Sequence, residues 1–235
     1  PLMSMPFYVS PEQVMADKAE FARKGISRGK SIVGLEHQGG VLLMAENATA
    51  LYKVGEIYDR LAFAGVGKFS EFDQLRKVGV RFADTKGYAY SREDVRGRGL
   101  ANAFSQVIGD VFTRENKPLE LEIIVAEVGD DRYEDHRNNS LYVIKYDGFI
   151  SDHPGFCAIG GNVEDVESVL QTDYRDGMPV GDAAKLGLRA LSAGAERSSE
   201  LDAGSLEVCL LDRERTGRKF CRLSADEVQG MLDGS

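Results

Sequence analysis

Ser31-Ile32-Val33-Gly34-Leu35-Glu36-His37-Gln38-Gly39-Gly40-Val41-Leu42-Leu43-Met44-Ala45 decides the fold. Two apolar runs of strand length flank Gln38-Gly39-Gly40, and the whole reads as a β-hairpin. Upstream, Ser10-Pro11-Glu12-Gln13 marks a helix start, with Ser10 as N-cap, Pro11 at the first helical position and Gln13 placed to close a capping box. Met15, Ala19, Ala22 and Ile26 form one stripe, acids stand early, Arg23 and Lys24 late, and Gly25 offers the stop. An amphipathic helix over 11–24 is therefore expected ahead of the hairpin. The residues before it, Met3 to Val9, have no periodicity and contain Pro6, so they read as an extended, apolar arm.

Downstream of Tyr52-Lys53-Val54, the run Leu61 to Val66 predicts another strand. The period then lengthens through Phe69, Phe72, Leu75 and Val78, and again through Leu100, Phe104, Val107 and Val111, predicting two helices across about 68–115, ended by Lys117-Pro118. Strands return at Leu121 to Val128, Leu141 to Tyr146, Phe149-Ile150 after the Asp147-Gly148 turn, and Phe156 to Ile159. Asp130 to Asn139, polar and charged, is expected to be a mobile hairpin tip. Asn162 is expected to cap one helix and Pro179 to start a second; after a loop from Ser198 to Gly204 come strands at Leu206 to Leu211 and Lys219 to Leu223. Ser224-Ala225-Asp226-Glu227 is a second capping box. Hairpin-connected strands, grouped apart from paired helices, predict an α+β fold: a four-layer α/β/β/α sandwich of two antiparallel sheets, with the first helix as an extra element. Without linker or internal repeat, residues 11–235 read as one domain behind a 1–10 arm.

The chemistry is chiefly one of exclusions. Thirty-eight acids against 29 bases give a net charge of −9, the wrong sign for binding nucleic acid. Apolar runs stop near five residues where a membrane helix needs ~20, so no membrane partner is expected. Cys157, Cys209 and Cys221 lack metal or redox spacing and read as reduced core thiols, which points to a cytoplasmic protein. Gly65-Val66-Gly67-Lys68 imitates a phosphate loop, but Ala62 stands where the motif's first glycine belongs and Phe69 where its Ser/Thr belongs. His37, His136 and His153 are scattered over hairpin ends, so no metal and no cofactor is expected, and the serines lack a GxSxG elbow.

Layered two-sheet folds with a glycine-marked first hairpin serve N-terminal-nucleophile (Ntn) hydrolases, whose nucleophile begins the first strand. Here that strand follows the arm and helix, and Thr49, Thr85, Thr113, Thr172 and Thr216 all lie elsewhere. An autonomous, self-processing Ntn hydrolase would need excision after Lys30 to expose Ser31.

Pro6 to Gln13, Ala22 to Ile26, Val41 to Asn47, Ala64 to Phe72, Phe82 to Tyr90, Ala126 to Val128, Tyr146 to Gly148, Gly160-Gly161 and Ser205 to Val208 together resemble the α subunits of the 20S proteasome, in their actinobacterial form. The resemblance implies a non-catalytic chain that forms heptameric rings capping two β-subunit rings, where the β partner hydrolyses unfolded protein substrates. It implies a gate at Met5, Pro6, Phe7, Tyr8, Val9 and Ser10. It also implies a pocket for the C-terminal tails of a ring-shaped AAA ATPase activator, in which Lys53 meets the terminal carboxylate with Arg28 and Gly29 nearby. The family's polar C-terminal tail is expected to be missing beyond Ser235.

Overall fold

The Ser31–Ala45 segment folds as β1 (Ile32–His37) and β2 (Gly40–Glu46), in register from Ile32 opposite Ala45 to His37 opposite Gly40. Gly40 adopts φ +148°, and a Cβ there would strike the Leu211 carbonyl, so the turn needs glycine at this position. The computed structural model describes residues 9–47, 49–132, 138–195 and 201–234.

The order of elements is the predicted one. Helix α1 (Pro11–Ile26) precedes the hairpin; β3 (Val54–Tyr58) and β4 (Leu61–Gly67) follow it, then α2 (Phe69–Ala89) and α3 (Gly97–Arg114). Four strands, β5 (Leu121–Glu127), β6 (Ser140–Ile144), β7 (Ile150–Asp152) and β8 (Phe156–Ile159), lead to α4 (Val163–Asp173) and α5 (Val180–Gly194). The chain closes with β9 (Leu206–Asp212), β10 (Phe220–Arg222) and α6 (Ala225–Asp233). One sheet runs β10-β9-β2-β1-β8 and the other β3-β4-β5-β6-β7, with every pairing antiparallel.

Period-two alternation builds the layers. On β2, Val41, Leu43 and Ala45 enter the core between the sheets with Ala62 and Ala64 of β4, while Leu42 and Met44 face the layer of α4, α5 and α6. On the other sheet, Phe63, Ile123 and Val125 point out to Phe72, Leu100, Phe104 and Ile108 of α2 and α3. The fold is the α/β/β/α sandwich with an additional N-terminal helix.

Local readings depart from the structure in three places. Ser10 accepts from the Gln13 amide at 3.2 Å, but the Gln13 side chain turns forward to Asp17 at 2.6 Å, where a charged acceptor is in reach, and the first capping box stays open. The second, at Ser224 and Glu227, closes from both sides. Helix α1 runs past Gly25 to Ile26, because burying Ile26 rewards another turn; a Cβ at Gly25 would collide with the Glu120 side chain, so this glycine serves close approach rather than termination. Asn162 caps α4 by position only, since its amide donates to Asp165 at 2.6 Å. The expected mobile tip falls in its middle on residues outside the described ones, and only its roots are seen. Asn139 accepts from Gly129 N at 2.9 Å and Arg213 at 3.0 Å, and Asp130 is buried against Arg132; residues 133–137, with His136, lie outside the described residues.

Candidate functional site

Helix α1 packs on the body through Ala22 and Ile26, which are buried, whereas Val14 and Met15 on its first two turns and Phe21 on its third are exposed, as is Val9 just before the helix. Lys18 anchors the helix by donating to the Phe112 carbonyl at 3.0 Å, at the open end of α3. Of the gate residues expected from sequence, Val9 is exposed and Ser10 caps α1; Met5, Pro6, Phe7 and Tyr8 lie outside the described residues.

The end of α1 lies over the end of the sandwich where β1 begins. Gly29 N donates to Ile26 O at 2.8 Å and Gly29 O accepts from Gly161 N at 3.1 Å, while a Cβ at Gly29 would run into Val66 of β4. Gly29 is thus committed to joining helix and sheets, and both of its backbone groups are occupied. Arg28 beside it is exposed and has no ion-pair partner among the described residues. Ser31, which a self-processing hydrolase would need as its nucleophile, is 7% exposed, between α1 and β1, and its hydroxyl has no hydrogen bond to a histidine, lysine or carboxylate among the described residues.

Lys53 stands at this same end, in the last position before β3. Its ammonium donates to Glu46 O at 2.9 Å and to Lys30 O at 3.3 Å. It therefore reaches across from the β3 sheet to the ends of the two strands of the first hairpin. Burial lowers its pKa to about 8, against the upward pull of Glu46 and Glu207. An ammonium has three donors and two are occupied by carbonyls, so one remains for a further acceptor. Lys30 and Glu46 form an ion pair at 3.2 Å alongside. Lys53 and Gly29 thus meet around one strand end, with Arg28 at its rim.

Glu207 completes the cluster and was not singled out from sequence. It lies on β9 on the same face as Cys209 and Leu211, both in the core between the sheets, and its carboxylate receives the Lys53 and Val54 amides at 2.9 and 3.0 Å. Its signal was readable: one acid on the inward parity of the run Leu206 to Leu211.

The glycines of Gly65-Val66-Gly67-Lys68 serve packing. A Cβ on Gly65 would press into the Phe72 ring, and Gly67, at φ +108°, lies against the Glu120 carbonyl. Among the described residues there is no group of three or more His, Cys, Asp or Glu arranged to hold a metal, and no helix is long and apolar enough to cross a membrane. Cys157 and Cys209 are buried thiols whose pKa burial pushes up to about 12; Cys221 is half-buried.

Comparison with known proteins gives these features a family. Residues 26–211 match the family model described as proteasome subunit. The proteasome subunit alpha of Saccharopolyspora erythraea is 49% identical over 98% of this chain and 89% of its own length. That of Renibacterium salmoninarum is 49% identical over 98% and 96%, and that of Xylanimonas cellulosilytica 50% over 94% and 93%. With a family match across most of the sandwich and half of all positions shared with alpha subunits along nearly the whole length, the chain belongs to the proteasome subunit family.

Proposed function

We propose that this chain is the non-catalytic α subunit of a cytoplasmic 20S core particle, forming seven-membered outer rings on β rings, gating entry with residues 1–10 and docking an ATPase activator on the single domain of residues 11–235. The observation that carries this reading is α1. It covers the strand end at which an Ntn hydrolase must expose its nucleophile, tied there by the hydrogen bonds from Gly29 N to Ile26 O and from Gly161 N to Gly29 O. Hydrolysis then falls to the β partner. The exposed apolar residues of α1, Val14, Met15 and Phe21, leave a surface for a neighbouring copy, and a head-to-tail contact there closes into a ring when its rotation is a whole fraction of a turn.

Within this reading Lys53 receives the terminal carboxylate of an activator tail. A carbonyl-anchored ammonium with one donor left is suited to a charge-assisted bond, of the kind worth ~1.5–3 kcal/mol when partly desolvated. Gly29 shapes the wall, and Arg28 adds positive charge at the rim.

The test is co-purification with a β subunit followed by a peptidase assay on the full chain and on a variant lacking residues 1–10. Peptide hydrolysis rises on deletion with no new nucleophile in α. An unchanged rate would count against the gate.

A further inference from the structure

The Glu207 carboxylate is a charged group in apolar surroundings. It is 3% exposed on the inter-sheet face of β9, where a carboxylate is tolerated only if its lone pairs are met. Oε2 accepts from Asn47 Nδ2 at 2.7 Å and from Lys53 N at 2.9 Å; Oε1 accepts from Val54 N at 3.0 Å and pairs with Arg222 Nη1. Arg222 then donates through Nη2 to Val54 O at 2.6 Å, and its guanidinium stacks 3.9 Å from the Tyr52 ring centre. Two consecutive backbone amides, 53 and 54, are thus clamped from the opposite sheet, and Arg222 holds the carbonyl beside them. This sets the direction in which Lys53 leaves the backbone.

We propose that Glu207 is the positioning residue of the Lys53 site: its clamp on the backbone of residues 53 and 54 holds the Lys53 ammonium against Glu46 O and Lys30 O, ready for an incoming carboxylate. The inference rests on the reading of Lys53 under the proposed function. Charge works with geometry. The groups facing the ammonium are Glu46, Glu207 and Lys30, and Glu207 favours its protonated form against burial. Arg222 neutralises Glu207 from the other side, so the carboxylate can support the ammonium with less repulsion of an arriving anion.

The test uses core particles assembled with β, and a peptide bearing an activator's C-terminal tail with a free carboxylate, its amidated form serving as control. Parent particles respond to the free acid, and the response fades as pH rises through about 8, where Lys53 loses its proton. Glu207→Gln raises the peptide needed for half-maximal stimulation about tenfold and moves the pH midpoint downward. Arg222→Gln, which frees the negative charge of Glu207, moves the midpoint upward and serves if Glu207→Gln does not assemble. In a Lys53→Arg particle, whose guanidinium does not titrate in this range, Glu207→Gln no longer shifts the profile. If neither Glu207→Gln nor Arg222→Gln changes the midpoint or the peptide requirement, while Lys53→Ala abolishes stimulation, the positioning role is overturned and the Lys53 reading stands. Full stimulation of Lys53→Ala, or no response of the parent to the free acid, overturns both.

Discussion

The two ends of the sandwich handle buried polar groups in opposite ways. At the end where β1 begins, Glu207 receives hydrogen bonds from Asn47, Lys53, Val54 and Arg222, and the Lys53 ammonium has two carbonyls. At the far end, around the β1–β2 and β3–β4 turns, His37 Nε2, Arg60 Nη2 and Arg213 Nε are buried with no partner among the described residues. Arg60 is 8% exposed on its side chain, yet its contacts to Glu127 and Val128 O are both long at 3.4 Å. Glu127 is held better by others, Arg96 Nε at 2.6 Å and Gly97 N at 2.8 Å. Burial alone therefore does not identify a charge that organises its surroundings; the partners do.

The comparison breaks most readily at Glu207. Glu207→Ala leaves two backbone amides and the Arg222 guanidinium without their acceptor at the sheet end, and breaking a buried pair by removing one partner costs about 3–5 kcal/mol. Chemical denaturation of the isolated chain should show that loss. A change below about 1 kcal/mol would mean that the clamp holds nothing in place.

How much of this was legible in the sequence depended on whether the signal was local. The order of elements, both sheets and the helix layers followed from periodicity, because strands such as Val41 to Ala45 and Ile123 to Glu127 alternate between two buried faces and the helices carry clear stripes. Ser224 and Glu227 closed their box as read, since both partners sit in one turn. Gln13 and Gly25 were misread for the converse reason. Asp17 competes for the first, and Glu120, far along the chain, explains the second. In the candidate site, Lys53 and Gly29 were singled out through resemblance. Glu207 was not singled out: its inward parity on the run Leu206 to Leu211 marks a buried acid, but its partners at residues 53 and 54 lie in no short window with it.

The ends also differ in the pH range over which they affect stability. Burial holds His37 down to about 4, opposed by Asp212 and helped by Arg213, so between about 4 and its ordinary 6.5 the unfolded chain binds a proton that the folded chain refuses. Stability is therefore lost as pH falls through that window. Lys53, held down to about 8 from 10.5, has the same sign in an alkaline window, where stability rises with pH. Denaturation midpoints followed against pH should flatten below 6.5 in His37→Gln and above 8 in Lys53→Met, each leaving the other limb intact. Loss of both slopes from a single substitution would show that the two ends are coupled through the sheets rather than independent.

The smallest effect belongs to Arg60, and it separates the two ends most sharply. Arg60→Met removes an unpartnered Nη2 and two long contacts, while Glu127 keeps Arg96 and the Gly97 amide. An apolar side chain of similar length fills much of the space beside Leu61 and Val128, both fully buried. Replacement of a poorly satisfied buried charge by a hydrophobic residue is often neutral or stabilising, so the expected change is within about 1 kcal/mol in either direction in the same denaturation experiment. A loss comparable with that of Glu207→Ala would place Arg60 among the organising charges. The far end would then be held by the long 3.4 Å contacts to Glu127 and Val128 O, and hydrogen-bond geometry would no longer distinguish the two ends.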